Sequence, residues 1–136
     1  MHLSSCDIEN SLKQGRNFIF VEKADIDIEK NTICTKVCVP EQWRSQFVSP
    51  SLVVEAMGQS SEILIRYVYK ISNVMYLMQI HKLRNSKMIN MVEEFQNIEV
   101  ISKVTQIMDN VYFDTVKAFI GEECICYAEI HHCVVY

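Results

Sequence analysis

The spacing of apolar positions changes from one stretch of this chain to the next, and each spacing predicts a different element. Residues 1–16 are polar and weakly patterned, with a helical turn around Ile8 to Lys13 as their one regular feature. From Asn17 the pattern alternates. Phe18, Phe20, Glu22, Ala24 and Ile26 take one phase, and Ile19, Val21, Lys23 and Asp25 take the other. A period of two predicts a strand of about eight residues. Glu29-Lys30-Asn31 is a polar turn, and Thr32 to Val39 is rich in β-branched residues, as a returning strand should be. Pro40 ends it, and Glu41 to Val48 form a connector.

The period then shifts to that of a helix. Ser49 can cap it, Pro50 suits the first helical position, and no breaker except Gly58 follows until about Ser72. At about 100° per residue, Leu52, Val53, Ala56, Met57, Ser60, Ile63, Leu64, Tyr67, Val68 and Ile71 form one broad face. Ser51, Glu55, Gln59, Glu62 and Arg66 form the opposite stripe, with Glu62 and Arg66 spaced to pair. The small residues Ala56, Gly58, Ser60 and Ser61 would let other backbone approach closely, as in a helix wrapped by a sheet. Four strand-like stretches follow: Val74 to Ile80, Asn97 to Met108, Val111 to Ile120 and Cys124 to Val135. His81 to Lys87 reads as a polar, basic connection. Asp109-Asn110 and Gly121-Glu122-Glu123 read as turns, the second closing a hairpin. The order β-β-α-β-β-β-β predicts an α+β domain with an antiparallel sheet, since βαβ units would alternate.

Composition narrows the class. With 136 residues, 1–136 is expected to be a single domain, carrying 1–16 as an N-terminal extension. Hydrophobic residues make up 49%, enough for a core without disulfides or a structural metal. A formal net charge of −4 argues against a surface built to hold nucleic acid. The N-terminus lacks a basic start and an apolar core of signal-peptide length, and nowhere do about 18 apolar residues run together. A cytoplasmic protein is therefore expected. The six cysteines include no Cys-x-x-Cys pair. Cys124, Cys126 and His131-His132-Cys133 form a conceivable metal cluster. Buried, reduced thiols are the expected state, with Cys124 and Cys126 on one strand face, and neither metal nor cofactor is expected.

Three stretches carry a resemblance to the 3-hydroxyacyl-ACP dehydratases, enzymes of the hot-dog fold, in which an antiparallel sheet wraps one long central helix. Gln14 to Lys23 resembles that family's aromatic-rich opening strand. In Ser49 to Gln59, Leu52, Glu55, Ala56, Met57 and Gln59 fall in register with its Leu and Glu-Ala-x-Ala-Gln pattern, with Gly58 at the usual alanine. Phe119 to Glu123, running on to Ala128-Glu129-Ile130, is similar to its closing hairpin. The resemblance spans roughly residues 14–135. It implies a homodimer with sites at the subunit interface, each admitting an acyl chain on acyl-ACP or acyl-CoA.

By the same resemblance Glu55 and Gln59 are the helix members of the site. The family's histidine, in a Gly-His-Phe-Pro loop before the helix, has no counterpart in Pro40 to Pro50. Aligning Phe47 with the family's phenylalanine puts Gln46 at the histidine position, while keeping the spacing from Glu55 puts Glu41 there. Glutamine cannot act as a base near neutral pH, whereas a buried glutamate can. Glu55 also reads as one member of a solvated polar stripe. Trp43 and Phe47 either line an acyl tunnel or anchor the connector, and Ser51 lies at the helix start where substrate would pass. The basic run His81 to Lys87 is either a solvated loop or a dock for an acidic carrier protein. Three functions remain open: a divergent dehydratase in fatty-acid or polyketide-like lipid synthesis, a thioesterase using Glu55, and a non-catalytic acyl-binding scaffold.

Overall fold

The computed structural model describes residues 1–44 and 48–136. The expected helix is present as α2, Ser51–Val68. The N-cap is Pro50, with helical dihedrals and no side-chain cap, one position later than expected; Ser49 Oγ still accepts the Ser51 N–H at 3.3 Å. Around α2 runs one antiparallel sheet of seven strands. In chain order these are β1 His2–Leu3, β2 Val21–Asp27, β3 Thr32–Val37, β4 Val74–Asn85, β5 Ile98–Met108, β6 Val111–Ile120 and β7 Glu123–Val135. Their order across the sheet is β1-β2-β3-β5-β6-β7-β4. Short helices α1, Ser5–Leu12, and α3, Val92–Phe95, complete the chain.

Alternation along β5, β6 and β7 sorts residues to the two sheet faces. Ile98, Val100 and Val104 of β5, Val116 and Ala118 of β6, and Ala128, Ile130 and Val134 of β7 point inward and are buried with Ile63, Leu64 and Met57 of α2. The tight approach expected for the helix occurs at Ala56, Ser60 and Ser61, all fully buried. Ser60 Oγ donates to the Ala56 carbonyl at 2.8 Å, which uses its only hydrogen. Thr35 of β3 therefore donates to Ser60 Oγ, at 2.6 Å, and ties β3 to the helix. Gly58 departs from the expectation. Among the described residues a Cβ there would meet nothing within 4 Å, so this glycine borders open space rather than packed backbone.

Several elements differ from the sequence pattern, each for a tertiary reason. The strand expected from Phe18 begins only at Val21, after a 3-10 turn at Arg16–Phe18, because a helix side chain takes the backbone groups of Phe18 and Phe20. Residues 1–16 are more ordered than their weak pattern suggests. β1 pairs with β2, a Ser4–Asp7 capping box starts α1, and Ile8 and Leu12 enter the core. Most of the basic stretch His81 to Lys87 is strand. β4 stays paired to β7 as far as Asn85, with irregularities at Leu77/Gln79 and His81/Arg84. An edge strand can keep charged side chains in water while its partner supplies the ladder. Cys124 and Cys126 do not share a face. The register shifts where Cys126 pairs with Ala118 and Cys124 with Phe119, leaving Cys126 buried and Cys124 exposed. α3 has no counterpart in the sequence pattern, and it carries Phe95 into the core.

Gly58 yields a direct test. Since an added methyl group meets open space, Gly58→Ala should gain helix propensity without a packing cost, stabilising the fold by about 0.5–1 kcal/mol. Urea unfolding midpoints measure this; a loss of stability would show that the position is packed.

Candidate functional site

A cleft of about 950 Å³ opens between the outer side of α2 and the edge strand β4. One wall is Phe18, Phe20 and Trp43, and the facing wall is Met75, Tyr76, Leu77, Ile80 and Leu83 of β4. The back is α2, presenting Ser51, Glu55, Gly58, Gln59 and Glu62. Trp43 meets Phe18 and Phe20 edge-on, at ring-centre distances of 6.1 and 5.8 Å, and donates its Nε1–H to the Asn17 carbonyl at 2.6 Å. An apolar concavity of this size with few polar groups is the usual form of a small-molecule site.

Gln59 is only 3% exposed, and its amide is fully engaged. Its Nε2 donates to the Phe18 carbonyl at 2.7 Å and to Gln14 Oε1 at 3.0 Å, while its Oε1 accepts the Phe20 N–H at 2.8 Å. One donor and the acceptor hold the aromatic wall to the helix, and the second donor is spent on Gln14. An apolar residue here would strand the buried Phe20 N–H, at about 1–3 kcal/mol, and release the part-buried Phe18 carbonyl. Glu55, one turn earlier, is exposed within the cleft. Glu62 pairs with Arg66 at 3.1 Å, as the spacing predicted, and burial pushes its carboxyl above the ordinary value against the pull of Arg66.

At the inner end of the cleft lies His132 of β7, which is 2% exposed. Its Nδ1 is 3.2 Å from Ser61 Oγ. Ser61 in turn donates to Asp114 Oδ2, which also accepts Ser102 Oγ at 3.2 Å. Asp114 Oδ1 is buried with no hydrogen-bond partner among the described residues. Burial pushes the Asp114 carboxyl up to about 7, against the two hydroxyls. It holds His132 down to about 4, helped by the positive charge of Arg66.

The sequence matches no family model and no curated protein. Solved structures, in contrast, match along nearly the whole chain. The dehydratase heterocomplex ApeI:P from Xenorhabdus doucetiae is similar at a TM-score of 0.76 and 10% identity, covering 95% of this chain and 91% of that one. A mutant thioesterase from Pseudomonas aeruginosa gives 0.72 and 6% identity, covering 98% and 94%. The dehydratase domain of a mycocerosic acid synthase-like polyketide synthase gives 0.72 and 14%, covering 98% of this chain and 49% of that chain. This chain has the hot-dog fold. At such identities the likeness speaks for the fold alone.

Within the hot-dog scaffold, four residues singled out in the sequence, Trp43, Ser51, Glu55 and Gln59, line one cleft. Glu41 does not reach it. It sits on a 3-10 turn, Glu41–Trp43, and borders a separate depression with Cys38 and Arg44. Gln46 and Phe47 lie outside the described residues. The sequence marks His132 only within a conceivable metal cluster and as a histidine that tertiary contact would have to bring to the site, yet the buried cluster around it had a further signal. Ser102, Asp114 and His132 each occupy an inward position where Val100 and Val104, Tyr112 and Val116, or Ile130 and Val134 flank them. Three polar residues in the buried phase of three adjacent strands need a shared explanation.

Asp114 and His132 make stability depend on pH in opposite senses. Between its ordinary value of 3.8 and about 7, Asp114 holds a proton only when folded, so its contribution falls as pH rises. His132, ordinarily near 6.5 but held at about 4, is protonated over that window only when unfolded, so its contribution rises. Asp114→Asn removes the falling part. Relative to wild type, the variant should gain stability between pH of about 4 and about 7, by as much as about 4 kcal/mol, since a tenfold change in proton affinity is worth about 1.4 kcal/mol. Urea unfolding across that range measures the difference, and a flat difference would remove the buried acid from the account.

Proposed function

We propose that this chain handles acyl thioesters, as a divergent relative of the 3-hydroxyacyl-ACP dehydratases with Glu55 as the carboxylate that meets substrate. The observation that carries the reading is the cleft itself: apolar walls from two sides, and Glu55 presented on the central helix between them. An acyl chain suits the walls, and the reacting carbons would lie against α2. Gln59 serves by holding Phe18 and Phe20 in place, because its amide has no donor left for a leaving hydroxyl. A thioesterase is the second reading. The absence of histidine from residues 40–50 favours it, since Glu55 can direct water onto a thioester carbonyl without one.

The substrate would arrive on a carrier protein or on coenzyme A. The basic run from His81 to Lys87 supports docking of an acidic carrier, because Leu83 within it borders the cleft. Six free cysteines fit a reducing cytoplasm. A homodimer joined along β4 completes the picture. This edge strand exposes Tyr76, Leu77, Met78 and Leu83 and also forms one wall of the cleft, so a second copy there would close the site.

Two measurements test this reading. Purified protein should interconvert 3-hydroxyacyl and 2-enoyl thioesters, and Glu55→Gln should lower the rate by about 10²–10⁴-fold, the usual worth of an acid–base group. Thiol release dependent on Glu55 would select the thioesterase instead, and carrier binding without either reaction would select a scaffold. In sedimentation, the protein at micromolar concentration should be a dimer, and Leu77→Lys should shift it toward monomer. A wild-type monomer would refute the β4 interface.

A further inference from the structure

We infer that His132, coming from the last strand rather than from the loop before the helix, is the proton-accepting catalytic residue of the cleft, with Ser61 and Asp114 as its positioning residues. This rests on the acyl-thioester reading above and supplies the base that residues 40–50 lack.

The geometry runs as a chain of donors. Ser61 has one hydroxyl hydrogen and gives it to Asp114 Oδ2. Its oxygen is then an acceptor for His132 Nδ1, so the Nδ1 nitrogen carries the ring's hydrogen. Nε2, on the far side of the ring, keeps its lone pair and has no hydrogen-bond partner among the described residues. His132 is the member of this cluster that lines the cleft, while Ser61, Ser102 and Asp114 are sealed behind it. An apolar set at these positions would pack as well without the desolvation cost of a buried carboxyl and imidazole. Orienting one ring nitrogen through a hydroxyl and a carboxylate is what a fixed tautomer requires.

In the dehydration direction His132 Nε2 takes the proton from Cα of a 3-hydroxyacyl thioester. The C–H electron pair moves into the thioester carbonyl as an enolate, then returns to form the C2–C3 double bond. The C3–O bond breaks as the proton taken by His132 passes through water to the Glu55 carboxylate and on to the departing hydroxyl, which leaves as water. Both groups are thereby restored, and the products are the 2-enoyl thioester and one water.

The test combines turnover with a signal from the ring itself. In the full-length protein with ¹⁵N-labelled histidine, His132 should show the Nδ1–H tautomer, and Ser61→Ala should convert it to a mixture. Adding a non-hydrolysable acyl-pantetheine analogue should move the Nε2 resonance. His132→Gln should lower turnover by about 10²–10⁴-fold while the analogue still binds. Turnover within tenfold of wild type in a folded His132→Gln overturns the role of His132 and leaves the acyl-thioester reading standing. If that variant does not fold, the ring signals decide: a tautomer unchanged in Ser61→Ala, or an Nε2 resonance unmoved by bound analogue, overturns it equally. A wild-type protein that neither binds the analogue nor turns over thioesters overturns the acyl-thioester reading, and this inference with it.

Discussion

Three consecutive polar residues in the middle of a buried helix, Gln59, Ser60 and Ser61, each had to find a partner, and their partners organise the molecule. At about 100° per residue they point in three directions from α2. Gln59 reaches the segment at Phe18 and Phe20, Ser60 meets Thr35 on β3, and Ser61 meets Asp114 on β6 and His132 on β7. Each hydrogen bond offsets the cost of burying a polar group, and each ties the helix to a different part of its surroundings. The sheet therefore wraps α2 in one register rather than sliding along it.

The cleft exists because this wrapping is incomplete. On the side of Glu55 and Gly58, the helix faces β4, an edge strand whose apolar side chains stand exposed. Gly58 leaves space there, and the clamp at Gln59 holds the aromatic wall open on the other side. The same helix thus serves as core on one side and as the back of the cleft on the other. Burial that is complete around Ser61 and absent around Glu55 lets adjacent turns of one element carry groups of opposite character. The inner end has a buried acid and a neutral imidazole, and the outer end an accessible carboxylate.

Much of the fold was legible in the residues. The helix announced itself through Ser49, Pro50 and a long apolar face, and β5, β6 and β7 through their period of two, because both signals arise from local geometry and one buried side. Glu55, Gln59, Trp43 and Ser51 were legible as a set through spacing and resemblance, and one cleft gathers them. What failed to show was whatever a distant partner imposes. The late start of β2 depends on a side chain 39 residues away, and the strand character of residues 81–85 depends on β7. The outward turn of Cys124 depends on a shifted register with β6.

By itself, then, the sequence determined one central helix, a set of antiparallel strands, and the apolar face that the helix and the last three strands turn to the core, since periodicity and turn chemistry act over a few neighbours. Only the tertiary structure decided that Gln59 is a clamp, that Glu41 lies apart from the cleft, and that His132 lies beside it. Those outcomes turn on hydrogen bonds between residues 12 to 71 positions apart, as from Ser102 to Asp114 or from Ser61 to His132. A pattern confined to neighbouring positions carries no record of which buried donor will find which acceptor.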